Sequence, residues 1–345
     1  MKVLTMQLNS ITIMDLVAYG GAALGIILGI LQFRAGHVAL GGCLLIILLA
    51  ADFFLPMRML GSYFHIAMNG MAASDKIFNL LDLPEPEMGT EEIKDHYDIR
   101  VQDLSFAYDN DRPILKHLDL SFSQGSFTAI VGESGCGKST LAGILTGKNR
   151  DYTGEITIGD IPLSEISEES LMASVTRVTH ESYLFKGSVR DNLRMGRPDA
   201  DDETLWAVLE RVNLAGFLRS ENGLDTQLTE RASNLSGGQC QRLAFARALL
   251  HDSPIYLFDE ATSNIDVESE NQIMELIEKL TETKTVILIS HRLENVKHAD
   301  QVYLMENGEV TESGTHKDLL EQKGAYARLW NTQEGLERYT KGDLK

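Results

Sequence analysis

A chain of 345 residues, 43% hydrophobic and 23% charged, holds enough apolar content for one large folded domain and something smaller, which excludes an intrinsically disordered protein. Its formal net charge of −19 leaves no basic stripe to displace counterions from phosphates, so a nucleic-acid partner is excluded. Three scattered cysteines, Cys43, Cys136 and Cys240, make no disulfide framework and point to a reducing compartment.

In chain order, the first features are two apolar runs. Residues 16–33 carry no charged side chain and residues 38–55 carry only Asp52. At ~1.5 Å rise per residue each run spans roughly 27 Å as a helix, enough to cross a bilayer core. Their glycines suit close helix packing in lipid. The alternative is a buried helical hairpin of a soluble protein. No small-residue cleavage site follows the first run, so both helices are expected to persist in the mature chain. The short connection 34–37 returns both ends to one side, together with Arg58 and Lys76. The positive-inside rule makes that side the cytoplasm, so the expectation is a multi-pass protein of the cell membrane with its long C-terminal region in the cytoplasm.

Apolar residues at helical spacing continue over 56–83 as a cytoplasmic extension, which Pro84 and Pro86 end. The acidic segment 84–98 reads as a linker. From residue 99 strands alternate with helices: 99–108, 118–122 and 127–131 read as strands, and 255–258 and 286–289 as buried parallel strands. Helical character over 168–175 and 203–218 suggests a mostly helical subdomain inserted into an α/β core. No internal repeat is present.

The strand at 127–131 runs into "GESGCGKST", residues 132–140, and a helix follows. A strand, a glycine-rich turn and a helix are what a phosphate-binding loop requires. Gly132, Glu133, Ser134, Gly135, Cys136, Gly137, Lys138, Ser139 and Thr140 are therefore candidate nucleotide contacts. Lys138 would reach the β- and γ-phosphates, and the Ser139 hydroxyl would ligate Mg²⁺. The Cys136 thiol, beside the helix N-terminus, is expected to react with alkylating reagents and to be protected by ATP. "IYLFDEA", residues 255–261, sets two acids at a strand end. Asp259 is placed to hold the Mg²⁺ shell and Glu260 to polarise the attacking water, which with a phosphate cradle is nearly all that phosphoryl transfer needs. "RVTHESYLFKG", residues 177–187, poses a separate question, since His180 and Glu181 stand side by side before an aromatic run. Taken alone, such a pair is more often a solvated loop than a site.

The segment "LSGGQCQR", residues 235–242, decides the reading. With the phosphate loop and the acids in this order, it resembles the signature of ATP-binding cassette (ABC) ATPases, and the resemblance covers residues 99–332, leaving 333–345 as a tail. It implies an α/β, P-loop NTPase ABC-type nucleotide-binding domain with a helical subdomain, here preceded by a two-helix transmembrane hairpin over 1–83. Ser236, Gly237, Gly238 and Gln239 would form a second anion site at a helix start, facing the γ-phosphate held by another cassette. Tyr108, in "LSFAY", matches the aromatic that stacks on adenine. Asp266, in "SNID", matches the loop crossing the cassette interface. His291, in "ILISHR", matches the switch histidine that contacts the γ-phosphate. His180 takes the place of a glutamine that in the family meets Mg²⁺ and the water region and senses the membrane domain. An imidazole can accept a hydrogen bond or ligate a metal, but it cannot present both an amide donor and an amide carbonyl. Glu181 is then a solvated neighbour. His65, His251, His298 and His316 read as ordinary, and no pair has metal spacing.

The implied protein is an ATP-hydrolysing subunit of a membrane exporter that takes ATP and Mg²⁺ as cofactors. It resembles the last two membrane helices and the cassette of a half-transporter, and so a fragment, an internal start or one piece of a split gene. Its implied partners are a second half-transporter, membrane lipid and a transported small molecule. The segment "FFLPMRMLGSYFHIAMNGMAASDKIF" is similar to heterodimeric bacterial exporters of cysteine and glutathione linked to cytochrome bd assembly, which implies a thiol as cargo. The alternative is a catalytically weak, regulatory cassette that binds ATP and completes a partner's site. A soluble cassette of the DNA-repair or translation type is disfavoured by the two apolar runs.

Overall fold

The structure, a computed structural model, describes residues 2–83, 89–108, 112–180, 183–263 and 265–340. Pro84, Pro86 and Glu181 lie outside the described residues, as do the side chains of Arg58 and His65. The chain divides into two units, Met1–Pro86 and Glu87–Lys345.

The first unit is a hairpin of α1 (Lys2–Arg34) and α2 (Leu40–Leu81). Its contact face is lined by small residues. A Cβ on Gly29 would come within 3.0 Å of Ile46 Cγ2, and one on Gly25 within 3.8 Å of Ala50 Cβ. Ala18, Cys43 and Ala50 are buried there, while Leu16, Leu48 and Phe53 point outward and are more than two-thirds exposed. Small residues inside and large apolar ones outside are the arrangement that suits a lipid surround. Among the described residues one helical segment, Thr12–Arg34, is long and apolar enough to cross a membrane, and the second apolar stretch, Leu40–Ala50, is shorter. Pro56 lies inside α2, so the second run and its extension form one continuous helix to Leu81.

The second unit opens with β1 (Ile99–Ala107), β2 (Pro113–Phe122), β3 (Phe127–Val131), α3 (Lys138–Leu145), β4 (Thr153–Ile158) and β5 (Ile161–Pro162). Next come α4 (Glu168–Ser174), β6 (Val175–Thr179), β7 (Gly187–Ser188), α5 (Val189–Arg194), α6 (Asp202–Arg211), α7 (Ala215–Ser220) and β8 (Gln227–Leu228). It closes with α8 (Gly237–His251), β9 (Ile255–Asp259), α9 (Val267–Thr281), β10 (Thr285–Ser290), β11 (Gln301–Glu306), β12 (Glu309–Gly314), α10 (His316–Gln322) and α11 (Ala325–Thr340).

The central sheet runs β12-β11-β3-β10-β9-β6, parallel throughout except for the β11–β12 hairpin. Its inner strands β3, β10 and β9 are buried on both faces, which is why they read as continuous apolar runs rather than alternating ones. Alternate side chains feed two cores. Ala129, Tyr256, Phe258 and Leu288 join the core under the helical segments α5–α8, where Phe258 stacks on Phe245 at 5.1 Å. Ile130, Leu257 and Ile287 face α3 and an antiparallel sheet, β2-β1-β4-β5.

Three differences from the sequence reading have local causes. The helical stretch 203–218 breaks into α6 and α7, because Asn213 adopts a left-handed conformation (φ 52°) that no helix continues through. Residues 89–98, expected as linker, join the second unit: Glu91 pairs with Ile166, and the Ile93 N–H donates to Ser170 Oγ at 2.9 Å. Residues 333–340, expected as tail, continue α11.

Register brings the chemistry together. Val131 lies opposite Ser290, and Asp259 lies opposite both Ile289 and Thr179. The carboxyl ends of β3, β10, β9 and β6 therefore share one edge, the place where open α/β sheets bind ligands.

Candidate functional site

At the end of β3 the chain must curl tightly without a side chain in the way. A Cβ on Gly132 (φ 151°) would fall 2.2 Å from the Met305 carbonyl, and one on Gly137 (φ 107°) 2.6 Å from Leu115 Cδ2. Only glycine fits either position. The curl closes on Lys138, which starts α3 and is buried. Its ammonium donates to the Gly132 and Glu133 carbonyls at 2.9 and 2.8 Å, and Cys136 Sγ lies 3.7 Å away. The lysine thus spans its own loop at the point where the turn and the helix N-terminus gather partial positive charge. Cys136 is only 7% exposed, so the ready alkylation expected of it meets a steric barrier.

The next strand end supplies the acids. Asp259 is 4% exposed; Ser139 Oγ donates to its Oδ1 at 3.2 Å and Arg177 Nη2 to its Oδ2 at 2.5 Å. Glu260 adopts φ 51°, rare for a residue with a side chain, and its N–H donates to the Ile289 carbonyl at 3.0 Å. That turn directs the two successive carboxylates differently, leaving Glu260 Oε1 4.0 Å from His291 Nδ1. Ser139, Arg177, Thr179, His180, Asp259 and Glu260 line one cavity of about 230 Å³. His180 and the two acids, 79 positions apart or more in sequence, so meet within one space through the register of β6 on β9.

Tyr108 is 63% exposed beside this loop, edge-on to Phe106 at 4.9 Å, with its hydroxyl 3.4 Å from Thr140 Oγ1. Ser134 and Gly135 form the exposed crest of the same turn.

The segment 236–239 is built at the start of α8. Ser236 is the N-cap: its hydroxyl accepts from the Gln239 N–H at 3.2 Å while Gln239 Oε1 accepts from the Ser236 N–H at 2.9 Å. This capping box fixes the helix start and leaves Gly237 and Gly238 at its first two positions. Gly238 abuts α9, where a Cβ would fall 2.3 Å from Ser269 Oγ. Asp266 caps α9, accepting from the Ser269 N–H at 2.9 Å, and that backbone bond holds its carboxyl below the usual carboxylate range.

Four residues outside the candidate set tie these parts together. Arg177 pairs with Asp259. Gln241 of α8, buried, donates to the Thr179 carbonyl at 3.0 Å, joining the signature helix to the segment that carries His180. Glu270, 3% exposed, accepts from Arg292, from Asn295 Nδ2 at 3.1 Å and from Thr262 Oγ1 at 3.3 Å, bracing the segments after Glu260 and after His291 against each other. Gln333 bonds the backbone at His291. Glu270, four residues past Asp266 on the same helix, had a signal in its spacing; the others had none, since their partners are distant in sequence. Among the described residues no cluster of three or more His, Cys, Asp or Glu is arranged to hold a metal.

Comparison with known proteins gives a consistent result. Residues 115–263 match the model of the ABC transporter family. A Haemophilus influenzae protein described as an uncharacterized ABC transporter ATP-binding protein is 49% identical over 341 residues, 98% of this chain and 61% of that protein. An ATP-dependent lipid A-core flippase of Vibrio vulnificus is 36% identical over 285 residues, 81% of this chain and 49% of the flippase. A solved bacterial Atm1-family ABC exporter with ATP bound superimposes with a TM-score of 0.73 at 30% identity, over 96% of this chain and 58% of the exporter. The chain thus spans about half to three-fifths of the length of these proteins.

Proposed function

We propose that the chain is the ATP-hydrolysing subunit of a membrane exporter of the ABC transporter family, paired with a second half-transporter; the match of residues 115–263 to that family and the 49% identity to a relative over 98% of the chain support this. The observation that carries this reading is the cavity where Ser139, Asp259, Glu260 and His180 converge beside the Lys138 loop.

In this reading the loop amides of 132–140 and Lys138 receive the phosphates, the ammonium exchanging its two carbonyl partners for phosphate oxygens. Tyr108 stacks on the adenine, whose flat face needs no particular hydrogen bonds. The buried Asp259 carboxylate and the Ser139 hydroxyl offer two hard oxygen donors 3.2 Å apart, a donor set that fits Mg²⁺. When bound there, Mg²⁺ supplies positive charge against the β- and γ-phosphate oxygens. Glu260 orients and polarises the attacking water, and His291, 4.0 Å from it, contacts the terminal phosphate. Ser236, Gly237, Gly238 and Gln239 present a second set of N–H and hydroxyl groups to the nucleotide on a facing cassette, with Asp266 on the same surface. The chain works in the cell membrane with its cassette in the cytoplasm. Its cargo is a small molecule.

A second reading has its own observations. His180 stands where an amide would serve the metal and the water, and the Arg177 guanidinium already occupies one oxygen of Asp259. Both favour a cassette that binds ATP well, hydrolyses it slowly and completes a partner's site.

Glu260→Gln tests the first reading in the complete complex. It keeps size and removes the water-polarising carboxylate, so ATP turnover should fall by about 10²-fold or more with ATP binding retained. Unchanged turnover would place hydrolysis elsewhere.

A further inference from the structure

Gln333 lies on α11, far from every motif, yet its amide grips the backbone on both sides of Arg292. Nε2 donates to the His291 carbonyl at 2.6 Å, and Oε1 accepts from the Leu293 N–H at 2.9 Å. The helix that carries it is itself fixed. Glu312 accepts from the N–H groups of Ala325 and Tyr326 at its start, the second at 3.1 Å. Tyr326 is fully buried, with its hydroxyl 2.7 Å from His316 Nδ1, and the Trp330 ring meets the His316 ring edge-on at 4.7 Å. Tyr326, Trp330 and Gln333 recur at helical spacing, so the docked face ends in an amide where the His291 segment offers one acceptor and one donor. From the other side Glu270 holds Arg292 and Asn295. The segment that begins at His291 is thus held between two elements, its backbone by α11 and its side chains by α9.

The residue type matters. A glutamine amide carries a donor and an acceptor in one plane, whereas a carboxylate would set a second acceptor against the His291 carbonyl, and a methionine would fill the space with neither group. Nothing in the packing of α11 asks for an amide at this position; the two backbone groups do.

We propose that Gln333 is a positioning residue for His291: its two hydrogen bonds fix the backbone from which the imidazole reaches toward Glu260 and the terminal phosphate. The proposal rests on the role given to His291 above. Gln333 itself touches neither nucleotide nor water, and α11 thereby couples the C-terminal part of the cassette to its hydrolytic centre.

The experiment uses the complete transporter complex carrying Gln333→Met, Gln333→Glu and His291→Ala, with each Gln333 variant also combined with His291→Ala. Gln333→Met should lower kcat by about tenfold while KM for ATP changes by less than about twofold and the melting temperature stays put. Added to His291→Ala, it should lower kcat no further, and hydrogen exchange at the Leu293 amide should quicken. Should Gln333→Met melt early, Gln333→Glu, which keeps the stem and one hydrogen bond, carries the same comparison. Wild-type kcat in the Gln333 variants, or a second full loss on top of His291→Ala, overturns the proposal. If His291→Ala alone leaves kcat unchanged, it is the role of His291 that fails; the Leu293 exchange then still reads the grip of Gln333, supported by faster exchange and overturned by none.

Discussion

His180 shows what one substituted side chain can report. On the strand end it lines the same cavity as Ser139 and Asp259, so its position suits contact with a metal or its water. An imidazole has one acceptor nitrogen when neutral and none when protonated, whereas an amide carbonyl accepts at any physiological pH. The expected result for His180→Gln is therefore a rise in ATP turnover of the complete complex, because the amide offers a carbonyl acceptor and an N–H donor together. Turnover of the variant and parent complexes, measured side by side, decides it. A ratio of variant to parent near one would remove His180 as a cause of weakened hydrolysis and with it the main support for a regulatory cassette. Cys136, by contrast, shows a residue-level expectation meeting a barrier: its place in the phosphate loop suggested a reactive thiol, and its burial closes the approach.

The elements differ in how they hold their functional residues. The start of α8 is pressed on α9 with no spare room, because Gly238 leaves only its hydrogen between itself and Ser269, which is 5% exposed. Gly238→Ala should cost about 1–3 kcal/mol in denaturant unfolding, the range for overpacking at a site that cannot relax freely. It should also displace the capped helix start from which the second anion site is built. A variant as stable as the parent would mean that α9 gives way. Much of this architecture was legible in the sequence. Strands β3, β9 and β10 announced themselves as short apolar runs, closed by glycine after β3, by acids at the end of β9 and by Ser290 and His291 at the end of β10, and the phosphate loop, the acids and the signature came with their own spacing. Strand β6 did not, since "VTRVT" interrupts its apolar pattern with Thr and Arg, and Arg177 is there because Asp259 lies beside it after folding. The bonds of Gln241 to Thr179 and Gln333 to His291 join residues 62 and 42 positions apart. No local pattern encodes such pairs; they exist only once the sheet register and the docking of α11 are set.

At the scale of the molecule, two units follow opposite solvation rules. In the second, residues such as Phe258, Leu104 and Tyr326 are fully withdrawn from solvent and the surface carries the acids. In the first, Leu16, Leu24, Leu48 and Phe53 face outward around a seam of Ala18, Gly25, Gly29 and Ala50. In water such a surface would be costly: at ~25 cal/mol per Å² of exposed apolar area, each outward Leu or Phe forgoes about 1.5–3 kcal/mol that burial would return. In lipid the same surface needs no protein cover, and small-residue packing becomes the source of helix association. The expected outcome is that the expressed chain stays in the membrane pellet through an alkaline carbonate wash and leaves it only with detergent. A chain cut back to residues 87–345, which form a separate unit with their own core, should appear in the carbonate supernatant. Release of the full chain by carbonate would instead mean that the hairpin finds its cover against protein, and would revive the soluble cassette as the reading of this sequence.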